Sequence, residues 1–233
     1  MSNIRLFFSN SLSADIIDKL DKFQSHYLTK VMRVKQNEVF SLFNKNGEWE
    51  AKVDNIVKGI VEFTIINKLR SAKYEKEIWL AFAPIKLNYL NIMIQKSTEL
   101  GVTKFIPILT ERTIVRDLNE KRISKIIVEA SEQSNRLKVP TLEKLTRIDK
   151  FLKLNQNTNI IFGDLNTDNK KINIKNNDPL CILIGPEGDF STQERESILK
   201  LKNTTPVKIS NNILRSETAA ISMISIISFN LLS

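Results

Sequence analysis

Residues 180–188 are Leu-Cys-Ile-Leu-Ile-Gly-Pro-Glu-Gly, five apolar residues followed at once by a loop with two glycines. A short apolar run bounded by turn residues is typical of a strand buried on both faces, as in a parallel sheet. In open α/β sheets, ligands bind at the carboxyl ends of the strands. The stretch therefore predicts an α/β fold with a ligand site directly after Ile184.

Two explanations remain open for the glycines of this loop. Gly185 and Gly188 permit positive φ and close approach of a ligand to the backbone, while Pro186 stiffens the loop. Alternatively, the glycines serve only the geometry of a tight turn.

From Glu77 onward, strand patterns alternate with helix patterns, which is typical of a mainly parallel sheet. Gly101 is expected to close the first helix, and Ser191 and Glu194 have capping-box spacing. The predicted strands are 78–83, 104–109, 160–162, 180–184 and 207–209, and the predicted helices are 87–100, 119–136, a helix from the capping box to 201, and one from 216 to the end.

The front of the chain has the pattern of a small β-barrel. Short segments alternate polar and apolar residues around turns at Asn46-Gly47 and Lys58-Gly59. We expect an amphipathic helix over Ser13–Phe23 between the first two strands, and a second helical piece that carries His26 and Arg33. A polar segment near residue 72 suggests a boundary, so the predicted domains are 1–72 and 73–233.

Composition excludes several classes of protein. The 233 residues are 42% hydrophobic and 26% charged, an ordinary globular balance. One Cys and one His exclude a disulfide framework and a Cys/His zinc site, and we expect no metal. No two of the six glycines have the spacing of a dinucleotide fingerprint or a Walker loop.

Location also follows from composition. The apolar stretch Ala219–Leu232 is shorter than the roughly 20 residues that span a bilayer, so we expect a buried helix and no membrane association. No secretory segment is visible, and a single unpaired Cys agrees with a reducing cytoplasm.

The net charge of +9 has two explanations. A basic chain fits a nucleic-acid partner, but compositional drift toward Lys produces the same charge. Residues 1–72 contain 11 basic and 8 acidic side chains, 73–150 contain 15 and 10, and 151–233 contain 9 and 8. The excess therefore lies in the front two-thirds.

Residues that could bind a ligand or take part in catalysis lie at three strand ends: 108–112, 184–188 and 213–218. Arg215 and Glu217 stand at the start of a very apolar helix, where buried charges are costly unless paired. In one interpretation the two side chains form an ion pair at the start of the helix. In the other, Arg215 is a cation beside the carboxylate of Glu217, and it holds an anionic substrate group or stabilises developing negative charge.

Several motifs resemble, in order and over nearly the whole chain, the bacterial 16S ribosomal RNA uracil-N3 methyltransferases of the SPOUT superfamily. They are His26-Tyr-Leu-Thr-Lys-Val-Met-Arg33, Gln95-Lys-Ser-Thr-Glu-Leu-Gly101, Pro107-Ile-Leu-Thr-Glu-Arg112, Glu129-Ala-Ser-Glu-Gln-Ser-Asn-Arg136 followed by Val139-Pro140, Leu183-Ile-Gly-Pro-Glu-Gly188 and Leu214-Arg-Ser-Glu-Thr-Ala219.

The resemblance implies a small PUA-like β-barrel for RNA, followed by an α/β SPOUT domain with a deep trefoil knot. It also implies a homodimer that binds S-adenosyl-L-methionine and methylates N3 of a uridine in 16S ribosomal RNA or the small ribosomal subunit. The alternatives are a SPOUT methyltransferase for another base or for ribose 2′-O, and a non-catalytic RNA-binding assembly factor.

The resemblance assigns roles to individual residues. Arg215 and Glu217 are the expected catalytic residues. The expected cofactor-binding residues are Leu109, Thr110, Ile184, Gly185, Pro186, Glu187, Gly188, Ile209, Leu214, Ser216, Thr218 and Ala219. The expected RNA-binding residues are Arg5, His26, Arg33, Arg112, Arg116 and Arg136.

The chain departs from the family pattern at two places. Ser134-Asn135 stand where the family usually has Cys-Gly, and Gly188-Asp189 stand where it usually has Gly-Gly. Asp189 is therefore expected to narrow or charge the cofactor loop.

Overall fold

The computed structural model describes residues 4–172 and 179–232, and the chain divides into two compact units. The first unit takes in the residues up to Tyr74 together with Ser131–Val139. The second takes in Glu75–Ala130 and the residues from Pro140 onward. The domains expected from the sequence, 1–72 and 73–233, assign residues 131–139 to the second domain instead.

The first unit is built on a mixed five-stranded sheet in the order β1-β3-β4-β5-β2. Its strands are β1 (Arg5–Phe7), β2 (Ile17–Lys19), β3 (Val39–Asn44), β4 (Gly47–Val57) and β5 (Ile60–Ser71). β1 pairs with β3 in parallel, and the other ladders are antiparallel.

The predicted turn at Lys58-Gly59 is confirmed, whereas the one predicted at Asn46-Gly47 lies one residue earlier, at Lys45-Asn46. Lys58 and Gly59 have φ of 48° and 80°, the left-handed pair that a two-residue type I′ hairpin needs. Gly47 follows the β3–β4 turn, where a Cβ would lie 2.5 Å from the Arg70 carbonyl oxygen. Register shifts between β4 and β5 curve the sheet around one apolar core.

The predicted helix over Ser13–Phe23 is wrong. The segment contains the edge strand β2, and a short helix α1 (Lys22–His26) begins only after it. Asp15 has a φ of 64°, which interrupts a right-handed helix, and the Asp21 side chain accepts from the backbone N–H of Gln24 at 2.8 Å. A single π-type turn, Tyr27–Val31, extends α1 as the predicted second helical piece.

The second unit is a parallel sheet in the order β12-β10-β11-β6-β7-β8, with β9 pairing with β7. The strands are β6 (Ile78–Phe82), β7 (Lys104–Leu109), β8 (Thr141–Leu142), β9 (Thr146–Arg147), β10 (Asn159–Gly163), β11 (Leu180–Ile184) and β12 (Thr204–Val207). The helices are α2 (Leu87–Glu99), α3 (Glu120–Gln133), α4 (Ile148–Leu154), α5 (Thr192–Leu199) and α6 (Ser216–Leu232).

The strand predicted over 207–209 is misplaced, since β12 ends at Val207. Pro206 lies inside β12, and a proline argues against a strand unless the strand is at an edge. β12 is the edge strand of the sheet, so the missing N–H of Pro206 is tolerated. The sequence also missed β8, β9 and α4, while the other strands and helices of this unit are confirmed with small shifts at their ends.

The capping box and the apolar terminal helix are confirmed. Glu194 accepts from the Ser191 backbone N–H at 3.0 Å, and Ser191 Oγ accepts from the Glu194 N–H. Ala220, Met223 and Ile224 of α6 are fully buried. Within residues 4–172 and 179–232, no helix combines the length and the apolar character needed to cross a bilayer.

A buried ionic cluster joins residues 131–139 to the sheet of the first unit. Arg5, whose side chain is 11% exposed, donates from Nε to Glu48 Oε1 at 2.9 Å. Its Nη1 donates to the carbonyl oxygen of Glu132 at 2.8 Å, and its Nη2 to that of Arg136 at 2.9 Å. Arg70 donates to the other oxygen of Glu48 at 2.6 Å and to Asn135 Oδ1 at 2.7 Å.

The cluster shifts the ionisation of Glu48. Burial alone would raise the pKa of this carboxyl group, but the hydrogen bonds and charges of Arg5 and Arg70 outweigh it and lower the pKa. A lowered folded-state pKa stabilises the protein above the unfolded pKa of Glu48. That contribution is lost as the pH falls through the folded pKa.

We expect Glu48→Gln to lower the free energy of unfolding by about 3 kcal/mol at neutral pH, because it leaves two arginines without their carboxylate. The difference from wild type should shrink as the pH falls below about 4. Denaturant titration at several pH values measures both. Glu50→Gln on the same strand is the control and should change stability by less than about 0.5 kcal/mol. A pH-independent difference between Glu48→Gln and wild type would contradict the ionic role of Glu48.

Candidate active site

A cavity opens at the carboxyl ends of β10, β11 and β12. It is lined by Gly163, Asp164 and Leu165 after β10, by Ile184, Gly185, Pro186, Glu187 and Asp189 after β11, by Val207, Lys208, Ile209, Ser210, Asn212, Ile213 and Leu214 after β12, and by Ser216, Ala219 and Met223 of α6. The cavity therefore lies at the edge of the sheet that the strand pattern predicted.

The sheet register explains why these loops meet. Phe162 of β10 is paired with Leu183 of β11 and with Pro206 of β12. The three strands therefore end at the same level, and the chain leaves each of them toward the same side.

Most of the predicted cofactor-binding residues line this cavity, although the cavity by itself does not assign them a role. Those that line it are Ile184, Gly185, Pro186, Glu187, Ile209, Leu214, Ser216 and Ala219, whereas Leu109, Thr110, Gly188 and Thr218 do not. The sequence analysis missed the loop after β10, although it directly follows an apolar strand and fits the same sheet rule.

The loop after β7 does not line the cavity. It supports the loop Gly185–Gly188, here called the glycine loop. Arg112 Nη1 donates to the carbonyl oxygen of Gly188 at 3.0 Å, and the backbone N–H of Glu111 donates to Glu194 Oε1 at 2.8 Å. Thr110 is buried, and its backbone N–H donates to Thr113 Oγ1. These bonds connect the end of β7 to the loop before α5 and to the first turn of α5.

At Gly185 the structure shows a further reason for glycine, which is close packing against Phe190. A Cβ there would lie 2.8 Å from Cε2 of Phe190, which is too close for any side chain. A Cβ on Gly188 would meet Arg112 at an ordinary 3.5 Å. Neither glycine has positive φ; the left-handed position of the loop is Asp189, with a φ of 61°. Its own Oδ1 accepts from the Phe190 N–H at 2.8 Å.

The start of α6 is bonded to the glycine loop. Ser216 is buried, and its hydroxyl donates to the carbonyl oxygen of Gly185 at 2.6 Å. This bond holds the first turn of α6 beside the cavity, so the residues on either side of Ser216 have fixed positions there.

Arg215 is exposed beside the cavity and stacks on an aromatic ring. Its guanidinium carbon lies 4.9 Å from the centre of the Tyr89 ring. The pKa of Arg215 is raised, first by its interaction with Tyr89 and then by the negative charges of Glu217 and Glu187. Arg215 is therefore a permanent cation, held by a tyrosine that the sequence analysis did not single out.

Glu217 lies in the first turn of α6 and is 8% exposed. A carboxylate in the first turn of a helix is stabilised by the helix dipole. Among the described residues, no ion pair joins Arg215 to Glu217, so the helix-start ion pair considered from the sequence does not form. Arg215 is left to interact with Tyr89 and with whatever enters the site.

Asp164 brings a second buried carboxylate to the cavity wall. It is 3% exposed, and its oxygens accept from Nε and Nη2 of Arg195 at 3.1 Å and 2.8 Å. The hydrogen bond and charge of Asp164 raise the pKa of Arg195. The pair anchors α5 to the loop after β10.

The six predicted RNA-binding residues differ in exposure. His26, Arg33, Arg112 and Arg116 are exposed, Arg136 is buried, and Arg5 is half-buried with its guanidinium in the ionic cluster. A phosphate cannot reach a guanidinium that is enclosed in an ionic cluster. The structure thus gives Arg5 a structural role, and we do not retain Arg5 or Arg136 among the proposed RNA contacts.

The chemical character of the cavity suits S-adenosyl-L-methionine. Apolar side chains such as Val207, Leu214 and Met223 line it beside the polar backbone of the glycine loop. Charged side chains of both signs also line the wall, among them Glu187 and Lys208, as the amino and carboxylate groups of an amino-acid ligand require. In the described ranges, no group of three or more His, Cys, Asp and Glu residues is arranged to hold a metal ion.

Comparison with protein families identifies the class to which the two units belong. A family model described as RNA methyltransferase domain matches residues 72–228, and one described as RNA methyltransferase PUA domain matches residues 20–66. The chain belongs to this RNA methyltransferase family, as its motifs predicted.

Two similar proteins of this family have the same name. A protein of Rickettsia conorii named ribosomal RNA small subunit methyltransferase E is 34% identical over 94% of this chain and 93% of its own length. The protein of the same name from Aquifex aeolicus is 25% identical over 96% of this chain and 99% of its own.

Solved structures agree with both units. The Neisseria gonorrhoeae ribosomal RNA small subunit methyltransferase E bound to S-adenosyl methionine matches with a TM-score of 0.89 at 26% identity, over 97% of each chain. A Legionella pneumophila methyltransferase in complex with the same cofactor also gives 0.89, at 27% identity over 99% of this chain and 98% of that one. The SPOUT fold expected from the sequence is confirmed.

We expect Gly185→Ala to lower the free energy of unfolding by about 2 kcal/mol, because the new Cβ overlaps the Phe190 ring. Gly188→Ala in the same loop should change it by less than about 0.5 kcal/mol. Thermal unfolding of the two variants measures the difference. Equal stability of the two variants would show that the contact with Phe190 does not restrict residue 185.

Proposed function

We propose that this protein transfers a methyl group from S-adenosyl-L-methionine to N3 of a uridine in 16S ribosomal RNA. The observation that carries the proposal is a permanent cation, Arg215, stacked on Tyr89 at the rim of an apolar cavity at the ends of three parallel strands. Family membership and the relatives named for small-subunit ribosomal RNA support the substrate class.

The cavity residues would hold the cofactor. When bound, S-adenosyl-L-methionine supplies an electrophilic methyl group and needs no metal. The apolar walls exclude water, and the backbone of Gly185–Glu187 offers polar groups for orientation. Ser216 keeps that backbone in place through its bond to the Gly185 carbonyl.

Arg215 would stabilise the charge that develops on the base. Uracil N3 carries a proton and becomes nucleophilic only when it loses it, which spreads negative charge over O2 and O4. A fixed cation next to those oxygens lowers the barrier, as an oxyanion hole does. Tyr89 positions the guanidinium, so that little reorientation is needed during the reaction.

Glu217 is the candidate for accepting the N3 proton. It follows Arg215 by two residues and is largely buried in the first turn of α6. If Arg215 stabilises the anion sufficiently, a water molecule can take the proton instead. In that case Glu217 serves to support the positive charge of Arg215.

Substrate RNA would meet exposed arginines on both units and a histidine on the first. His26 and Arg33 are exposed on the first unit, and Arg112 and Arg116 on the second. Contacts with phosphates give affinity and orientation but little sequence information. The target base must leave its stack to reach the cavity, as in other enzymes that act on bases.

The active form is proposed to be a homodimer in the cytoplasm, with the trefoil knot of the SPOUT class in the second unit. Exposed apolar side chains on α2 and α6, among them Ile92 (47% exposed) and Ile226 (41%), support a partner surface on these helices. The two helices pack against each other.

Arg215→Ala should lower kcat for methyl transfer to small ribosomal subunits by about 100- to 1,000-fold, because one donor to the developing anion is lost. Affinity for the cofactor should be nearly unchanged, since Arg215 does not line the cavity. Arg215→Lys keeps the charge but not the planar stacking group, and a smaller loss is expected. Labelled cofactor and isothermal calorimetry measure the two quantities.

Turnover of Arg215→Ala close to wild type would remove the assigned role of Arg215. Failure of the wild-type protein to bind S-adenosyl-L-methionine in calorimetry would instead support a non-catalytic RNA-binding assembly factor.

A further inference from the structure

An aromatic side chain stands almost fully exposed on the first unit. Phe23 of α1 is 85% exposed, whereas Ser25 and Leu28 on the opposite side of the same helical segment are completely buried. Residues three or four positions apart share a helix face, so Phe23, His26 and Lys30 form one exposed stripe. All three are exposed to solvent.

The helix that presents Phe23 is firmly held. Gln24 Nε2 donates to the Phe7 carbonyl oxygen at 2.7 Å, and Ser25 Oγ accepts from the Val61 N–H at 3.1 Å. The Asp21 side chain caps the helix start. The backbone that presents Phe23 is therefore in place before any partner binds, which limits the entropy lost on binding.

The charges around Phe23 favour a polyanion as the partner. Lys22 is its neighbour, His26 and Lys30 follow on its face, and Arg33 is exposed just after the π-type turn. The nearest carboxylate in sequence, Asp21, is already engaged with the Gln24 N–H. An exposed aromatic ring among cations is the arrangement on which unpaired bases stack while the cations bind phosphates.

We propose that Phe23 is a stacking platform for one unpaired base of the RNA, flanked by phosphate contacts to Lys22, His26 and Lys30. The proposal rests on the proposed function for the identity of the partner as RNA. It adds a base contact to a surface that would otherwise contribute only charge, and so a recognition element away from the cofactor cavity.

The test measures binding of a short single-stranded RNA that contains one 2-aminopurine, whose fluorescence falls when it stacks. Phe23→Ala should weaken binding about ten-fold and restore the fluorescence, without changing the salt dependence of the affinity. Phe23→Tyr should bind as wild type does, and Phe23→Leu should resemble Phe23→Ala. Arg33→Ala should instead reduce the salt slope by about one.

Tyr74→Ala is the matched control, because Tyr74 is an aromatic residue of similar exposure (80%) outside this stripe, and it should leave binding unchanged. Thermal unfolding should be the same for wild type and Phe23→Ala, since so exposed a ring contributes little to the core. Unchanged RNA affinity in Phe23→Ala would overturn the proposal, as would binding to phosphatidylglycerol vesicles that depends on Phe23 while RNA binding does not. Because methyl transfer is not measured, absence of activity would count against the proposed function alone.

Discussion

The parallel pairing of β10, β11 and β12 is the constraint on which the active site depends. The three strands are matched in register, so that Ile160 pairs with Cys181 and Gly163 with Val207, and the central strand β11 is buried throughout. Burial raises the pKa of the Cys181 thiol to about 12, as expected of an inert core position. Because the three strands end at one level, their loops form a single cavity. The Ser216 hydroxyl then fixes α6, and with it Arg215, at the rim.

Two residues other than glycine have left-handed backbone conformations at positions where the family usually has glycine. Asn135 and Asp189 stand where the family usually has glycine, and both have left-handed φ, of 62° and 61°. Asn and Asp tolerate this region better than other residues, because their short side chains bond to nearby backbone. The same backbone path is thereby kept without glycine. Asn135 also gains a bond from Arg70 that glycine could not make.

The sequence predicted the four central strands of the second unit, β6, β7, β10 and β11, because apolar runs such as 180–184 are unambiguous when both faces are buried. It failed where a feature depends on distant contacts. The strand β2 forms because it pairs with β5, which the local pattern of residues 13–23 does not reveal. The position of Arg5 in the ionic cluster depends on Glu48 and on carbonyl oxygens more than 120 positions away. The local sequence does not reveal these contacts, and Arg5 was therefore predicted to bind RNA. The rule that ligands bind at the carboxyl ends of strands would have been enough to predict the loop after β10 as part of the site. The loop was missed because it contains no family motif.

A permanent cation, an apolar cavity at the strand ends and an RNA-binding first unit together serve the proposed activity, methylation of a uridine at N3. Mass spectrometry of nucleosides from small ribosomal subunits treated with the protein and S-adenosyl-L-methionine tests it most directly. Subunits from cells that lack the protein should gain 3-methyluridine in 16S ribosomal RNA. A gain of a 2′-O-methylated nucleoside, or of another methylated base, would contradict the account.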